Sequence, residues 1–117
     1  MNADFKRLIK RHYVHIGLMN RVFAGYVVFY QMGKYLHLEN VAVVPESLGN
    51  GVGKALINFV VDQARLMGLL GVELYTNEAM TENISMYPAL GFKEIRRAED
   101  DGFNRVYFQK QFAAISF

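Results

Sequence analysis

The sequence predicts an α/β (α+β) domain with a mixed, mostly antiparallel sheet built around a central strand, glycine loop and helix. Short turns, the glycine loop and a crossover carry that reading. Three stretches of strand character follow one another early in the chain, joined by short turns, and short turns make antiparallel hairpins. The apolar, β-branched run Val41 to Val44 stops at Pro45 and passes through a glycine-rich loop into a helical pattern. Another strand follows that helix. Strand, helix and strand form a right-handed crossover, so two strands of the sheet lie parallel.

Each element has its own signal. Phe5, Leu8 and Ile9 are spaced like the inner face of a short helix, with Asp4 before them and Lys10-Arg11 closing. Residues 12–19 read as a strand, and Asn20-Arg21 as a tight turn, since Asn tolerates positive φ. Val22 to Met32 is the second strand. Gly33-Lys34 turns the chain into the third, Tyr35 to Val44. Val52, Leu56, Phe59, Val60, Ala64 and Met67 fall near one helical face, and Gly68 supplies the residue after the helix end. Val72 to Asn77 is the crossover strand. A second helix runs from about Thr81 to Leu90 and ends at Gly91; Pro88 inside it removes a donor and kinks it unless the helix starts late. Phe92 to Arg97 and Phe103 to Phe112 are strands around an acidic loop, Glu99-Asp100-Asp101-Gly102.

Composition bounds the function. At 117 residues the chain makes one domain, 1–117, large enough for a core. The net charge of +2, with no Lys/Arg run longer than two, gives no nucleic-acid footprint. The absence of cysteine excludes disulfides, thiolate metal sites and a cysteine nucleophile, and it suits a reducing cytoplasm. No metal ligand set is expected. No apolar stretch approaches the ~18 residues of a membrane span, and the N-terminus lacks the apolar centre of a signal peptide. A cytoplasmic protein is expected.

Gly49, Gly51 and Gly53 alternate just before and inside the start of the central helix. Such a start presents backbone N–H groups without partners and the positive end of the macrodipole, which suits a phosphate. The first turn has no acid and carries Lys54, a solvated lysine or a phosphate contact. Two familiar phosphate loops fail. The Walker pattern requires glycine where Leu48 stands and Ser or Thr where Ala55 stands. The dinucleotide fingerprint needs a different glycine spacing and a parallel strand before it.

The run Val43-Val44-Pro45-Glu46-Ser47-Leu48-Gly49-Asn50-Gly51-Val52-Gly53 resembles the acetyl-CoA-binding motif of the GNAT superfamily of N-acetyltransferases. That motif is Gln/Arg-x-x-Gly-x-Gly/Ala after a strand ending in Val-x-Pro-Glu. Leu48 departs from it, standing at the Gln/Arg position. The run Asn83 to Phe92, with Tyr87 and the closing Gly91-Phe92, is similar to the family's later helix. The resemblance covers roughly residues 11–112.

The resemblance implies acetyl-CoA as co-substrate. It places pyrophosphate on Leu48, Gly49, Asn50, Gly51, Val52, Gly53 and Lys54, and the pantetheine arm on a bulged strand at Val41, Ala42 and Val43, with Asn83 and Tyr87 opposite. Acetyl transfer to an amine needs a base, a donor to the thioester carbonyl and an acid for the leaving thiolate. Glu39 and His37, two apart and so on one strand face, are the candidate bases. Glu39 is preferred from the family, though a solvent-facing glutamate and a packing histidine are the plainer readings. Tyr87 matches the family tyrosine near the sulfur, the candidate acid. Asn77 is a weaker candidate for the same cleft. The implied acceptor is a primary amine on a small molecule or peptide; the rival is a non-catalytic CoA-binding or interaction module. The family usually begins with a strand and two helices, one wall of the acceptor cleft, whereas this chain reaches its first clear strand by about His12. A homodimer is therefore expected to complete the cleft, with Phe112, Ile115 and Phe117 in the contact.

Overall fold

The computed structural model describes residues 13–113. Among the described residues, six strands and two α-helices follow the expected order. They are β1 (Val14–Met19), β2 (Val22–Met32), β3 (Tyr35–Val43), α1 (Val52–Leu66), β4 (Gly71–Asn77), α2 (Thr81–Ala89), β5 (Lys93–Asp100) and β6 (Phe103–Gln111), with a single 3-10 turn at Pro45–Ser47. The helix expected around Phe5 to Ile9 lies outside the described residues, as do Ile115 and Phe117.

The strands form one sheet in the order β1-β2-β3-β4-β6-β5. Every neighbouring pair is antiparallel except β3 and β4, which the α1 crossover makes parallel. The β1–β2 turn is built from Asn20 and Arg21 at φ 53° and 66°, the primed geometry that matches strand twist. β4 begins at Gly71, one residue before the expected start. A Cβ there would lie 2.0 Å from the Lys110 carbonyl oxygen, so only glycine permits this strand contact. β5 runs further than expected. Glu99 and Asp100 pair with Asn104 and Phe103, and the acidic loop shrinks to Asp101 and Gly102. Pro88 falls in the last turn of α2 and helps end the helix at Ala89, so little helix remains for it to kink.

Both helices pack on one face of the sheet. Leu56, Ile57, Val60, Val61 and Ala64 of α1 meet Val27, Leu36, Leu38 and Val72, and Tyr87 of α2 joins the same cluster. Burying a side chain such as Ile57, fully enclosed, contributes about 1.5–3 kcal/mol. Strand alternation sends His37, Tyr75 and Tyr107 to the other face, where no helix lies among the described residues.

The parallel contact is short. Tyr35 pairs with Gly71, Leu36 with Val72 and His37 with Glu73, and pairing stops there. β3 continues to Val43 and β4 to Asn77, so a gap opens between two strands in the middle of the sheet.

Candidate active site

The gap opens beside the glycine loop. After β3, Ser47 N–H donates to Val44, Leu48 N–H to Pro45 and Asn50 N–H to Ser47. The first helical bond is from Ala55 N–H to the Gly51 carbonyl. The N–H groups of Gly49, Gly51, Val52, Gly53 and Lys54 therefore lack a backbone acceptor among the described residues. Gly49 and Gly51 sit at φ 83° and 76°, a left-handed conformation that a side chain strains. Gly53 is different: its φ is helical, and a Cβ there would only touch Val43 Cγ2 at 3.6 Å. No acid and no side-chain cap occupies the helix start. The cradle suits a phosphate group. Leu48, 66% exposed, offers it no polar side chain, and its N–H is already used, as is that of Asn50.

The bulge lies two residues before its expected place. Val28 faces Asn40 and Phe29 faces Leu38, so Glu39 is the extra residue in β3. Val41, Ala42 and Val43 stay in register with Val27, Tyr26 and Gly25. The physical reason is the end of the parallel ladder at His37: the strand distorts where its β4 partner leaves. Val41 to Val43 still border the gap. Val44 N–H donates toward β2, to Ala24, and by strand alternation Ala42 turns the same way. The N–H groups of Val41 and Val43 turn toward the gap, where β4 no longer takes them.

On the helix-free face the bulge presents Glu39 to two donors. Tyr30 Oη donates to Glu39 Oε2 at 3.1 Å, and His37 Nε2 lies 3.1 Å from the same oxygen. A carboxylate only accepts, so this contact puts the His37 proton on Nε2. The His37 bond is the largest cause holding the Glu39 carboxyl below its ordinary value; the Tyr30 bond and the charges of His37 and Arg105 add to it against partial burial. Tyr30 is pushed up to about 12, by burial first and then by the Glu39 charge, so it remains a donor. The sequence brought His37 and Glu39 together but missed Tyr30. Its only signal was position: Tyr30 pairs with His37 across the β2–β3 hairpin.

From the helix side, Asn83 Nδ2 donates to Thr76 Oγ1 at 3.4 Å, which joins α2 to the end of β4. Thr76 was also missed, though a polar residue continuing the inward stripe of Val72 and Leu74 was a readable sign. Tyr87, one turn beyond Asn83, is 4% exposed and packs on Phe92 and Phe108. Burial pushes its phenol up. Asn77 is occupied differently: its side-chain oxygen accepts from Ala79 N–H at 2.8 Å and shapes the turn into α2.

A sheet split between parallel strands, with a phosphate cradle at the start of α1, makes a cleft for a phosphate-bearing ligand. The acetyltransferase (GNAT) family model matches residues 2–92, and the chain belongs to that family. Mycothiol acetyltransferase of Pseudarthrobacter chlorophenolicus is 42% identical over 52 residues, 44% of this chain and 16% of that protein. Nourseothricin acetyltransferase superposes with a TM-score of 0.71 at 27% identity, over 79% of this chain and 59% of the other. A GNAT family acetyltransferase from Elizabethkingia anophelis, solved with acetyl-CoA bound, gives a TM-score of 0.80 at 14% identity over 96% and 84%, a likeness of fold. The chain thus spans about a sixth of the first relative and less than two thirds of the second. Within the family acetyl-CoA is the co-substrate.

Proposed function

We propose that this chain is an acetyl-CoA-dependent N-acetyltransferase that moves an acetyl group to a primary amine of a small molecule or peptide. The observation that carries the reading is the gap beside the cradle: N–H groups of Gly49, Gly51, Val52, Gly53 and Lys54 for the pyrophosphate, then those of Val41 and Val43 for the pantetheine arm and thioester. Asn83 borders the arm from the helix side, and Lys54 stands exposed beside the phosphates. The amine nitrogen attacks the thioester carbon, and the oxyanion forms against β3 donors. Glu39, ionised at neutral pH, holds the ammonium and takes its proton directly or through water, with His37 as the alternative base. Collapse breaks the carbon–sulfur bond. The thiolate takes the Tyr87 proton, which burial keeps on the phenol at neutral pH. We further propose a cytoplasmic homodimer. Among the described residues no helix is long and apolar enough to cross a membrane.

A second reading, a CoA-binding module without turnover, is favoured by Leu48, whose exposed apolar side chain replaces the usual Gln/Arg. Thiol release from acetyl-CoA with a panel of amines separates the two. Acetyl-CoA at about 100 times its Kd is expected to add ~2.7 kcal/mol of stability, visible in a melting curve. Absence of both thiol release and a shift at millimolar acetyl-CoA overturns the assignment.

A further inference from the structure

The helix-free face of the sheet carries a row of rings, two of which, Tyr30 and His37, hold Glu39. Tyr13, Tyr30, His37, Tyr75 and Tyr107 follow one another with centroids 5.3, 5.4, 5.6 and 5.5 Å apart. The row crosses beneath the gap. Glu39 stands on its β3 side. Across the gap, Tyr75 is 36% exposed and the Arg105 guanidinium lies over its ring, Cζ 4.3 Å from the centroid. Stacking fixes the plane of the guanidinium and leaves its edge N–H groups for a planar anion. No carboxylate lies within ion-pair distance of Arg105 among the described residues. Asp100, the acid whose charge Arg105 feels, accepts the Tyr107 hydroxyl. The Arg105 charge is the last of the causes that hold the Glu39 carboxyl down.

Resting on the acetyltransferase reading, we propose that Arg105 selects the acceptor. The preferred amine carries an anionic group within a few bonds, as an α-amino acid does. Glu39 takes its ammonium, Arg105 its carboxylate, and the Tyr75 ring floors the space between. A simple monoamine satisfies Glu39 and leaves Arg105 with water. A dipolar acceptor satisfies both charges at once, and the pairing orients its nitrogen toward the gap. Nothing in the acetyl-CoA cradle requires Arg105, which lies on the opposite face of the sheet from α1 and α2.

The test uses matched acceptors on the whole chain: phenylalanine against 2-phenylethylamine, and leucine against 3-methylbutylamine. Each pair differs only in the carboxylate. Thiol release is expected to favour the amino acid in kcat/KM by roughly tenfold or more, the size of one charged hydrogen bond. Arg105→Gln removes the preference by raising KM for the amino acid relative to KM for the amine, and Arg105→Lys restores part of it. Equal use of each pair, preference for the plain amines, or a ratio unchanged in Arg105→Gln overturns the proposal. NMR titration with phenylalanine alone needs no turnover. Shifts localised to β4 and β6 that vanish in Arg105→Gln support the acceptor site even where acetyl-CoA gives no melting shift, which marks failure of the cofactor reading instead. No shift with millimolar phenylalanine overturns the acceptor site itself.

Discussion

Glu39 concentrates the chemistry at the scale of single residues. Its carboxyl is held below the ordinary value by His37 first and by Tyr30 among the lesser causes. The sign follows from linkage. A carboxyl lowered on folding stabilises the protein above its unfolded value of about 4.3 and loses that contribution as pH falls through the folded value. The acid limb of kcat/KM, where Glu39 carries it, lies below the usual carboxylate range. Tyr30→Phe removes one donor, so that limb moves to higher pH. Glu39→Gln abolishes it and costs about 10²–10⁴-fold in rate, as loss of a general base does. A limb unmoved in both variants assigns proton removal to His37 or to water. Tyr87→Phe deletes one hydroxyl from a ring packed on Phe92 and Phe108. Turnover is expected to fall while acetyl-CoA affinity holds. Equal turnover in single-turnover kinetics, where chemistry is isolated, returns Tyr87 to the core.

The loop before α1 separates two kinds of glycine at the scale of elements. Gly51 needs its positive φ of 76°, so Gly51→Ala is expected to cost about 1–2 kcal/mol and to weaken acetyl-CoA by misaiming the N–H groups. Gly53 needs no such freedom, and alanine in a helix is worth up to ~1 kcal/mol over glycine. Gly53→Ala is therefore expected to raise Tm by several degrees with little change in affinity; a calorimetric melt with and without acetyl-CoA reads both. Equal loss of affinity in the two variants refutes the division. The sequence exposed this loop because proline, glycine and a switch of periodicity are local signals. It exposed the β1–β2 and β2–β3 turns for the same reason. The bulge at Glu39 was not legible, because it arises where β3 loses β4, and Glu73 is far from Glu39 in the chain. The end of β5 was missed because Glu99 and Asp100 look like loop residues until cross-strand pairing with Asn104 and Phe103 holds them. Tyr30 and Arg105 share that limit: each matters through a neighbour on another strand.

Assembly belongs to the scale of the whole molecule. Phe112 was expected in a dimer contact, but it packs against the core and lies under the Arg65 guanidinium, Cζ 4.1 Å from its ring centroid. Apolar surface is also exposed at the opposite edge of the sheet, on β1 and β2. Ile16, Leu18 and Val22 are 65%, 66% and 66% exposed, and Phe23 is 45% exposed, all on the β1–β2 hairpin. β1 ends the sheet among the described residues, so its outer edge offers unpaired backbone groups next to these side chains. An edge with apolar neighbours attracts a second edge, and two-fold pairing is the commonest way to satisfy both. Leu18→Lys places a charge at the centre of that strip, away from Glu39 and outside the core cluster, although Leu18 lines one cavity together with Asn50, Gly51 and Val52 of the cradle. Light scattering at micromolar concentration is expected to show a dimer for the native chain and a monomer for Leu18→Lys. A monomeric native chain refutes the dimer. A dimer that survives the lysine moves the contact away from β1.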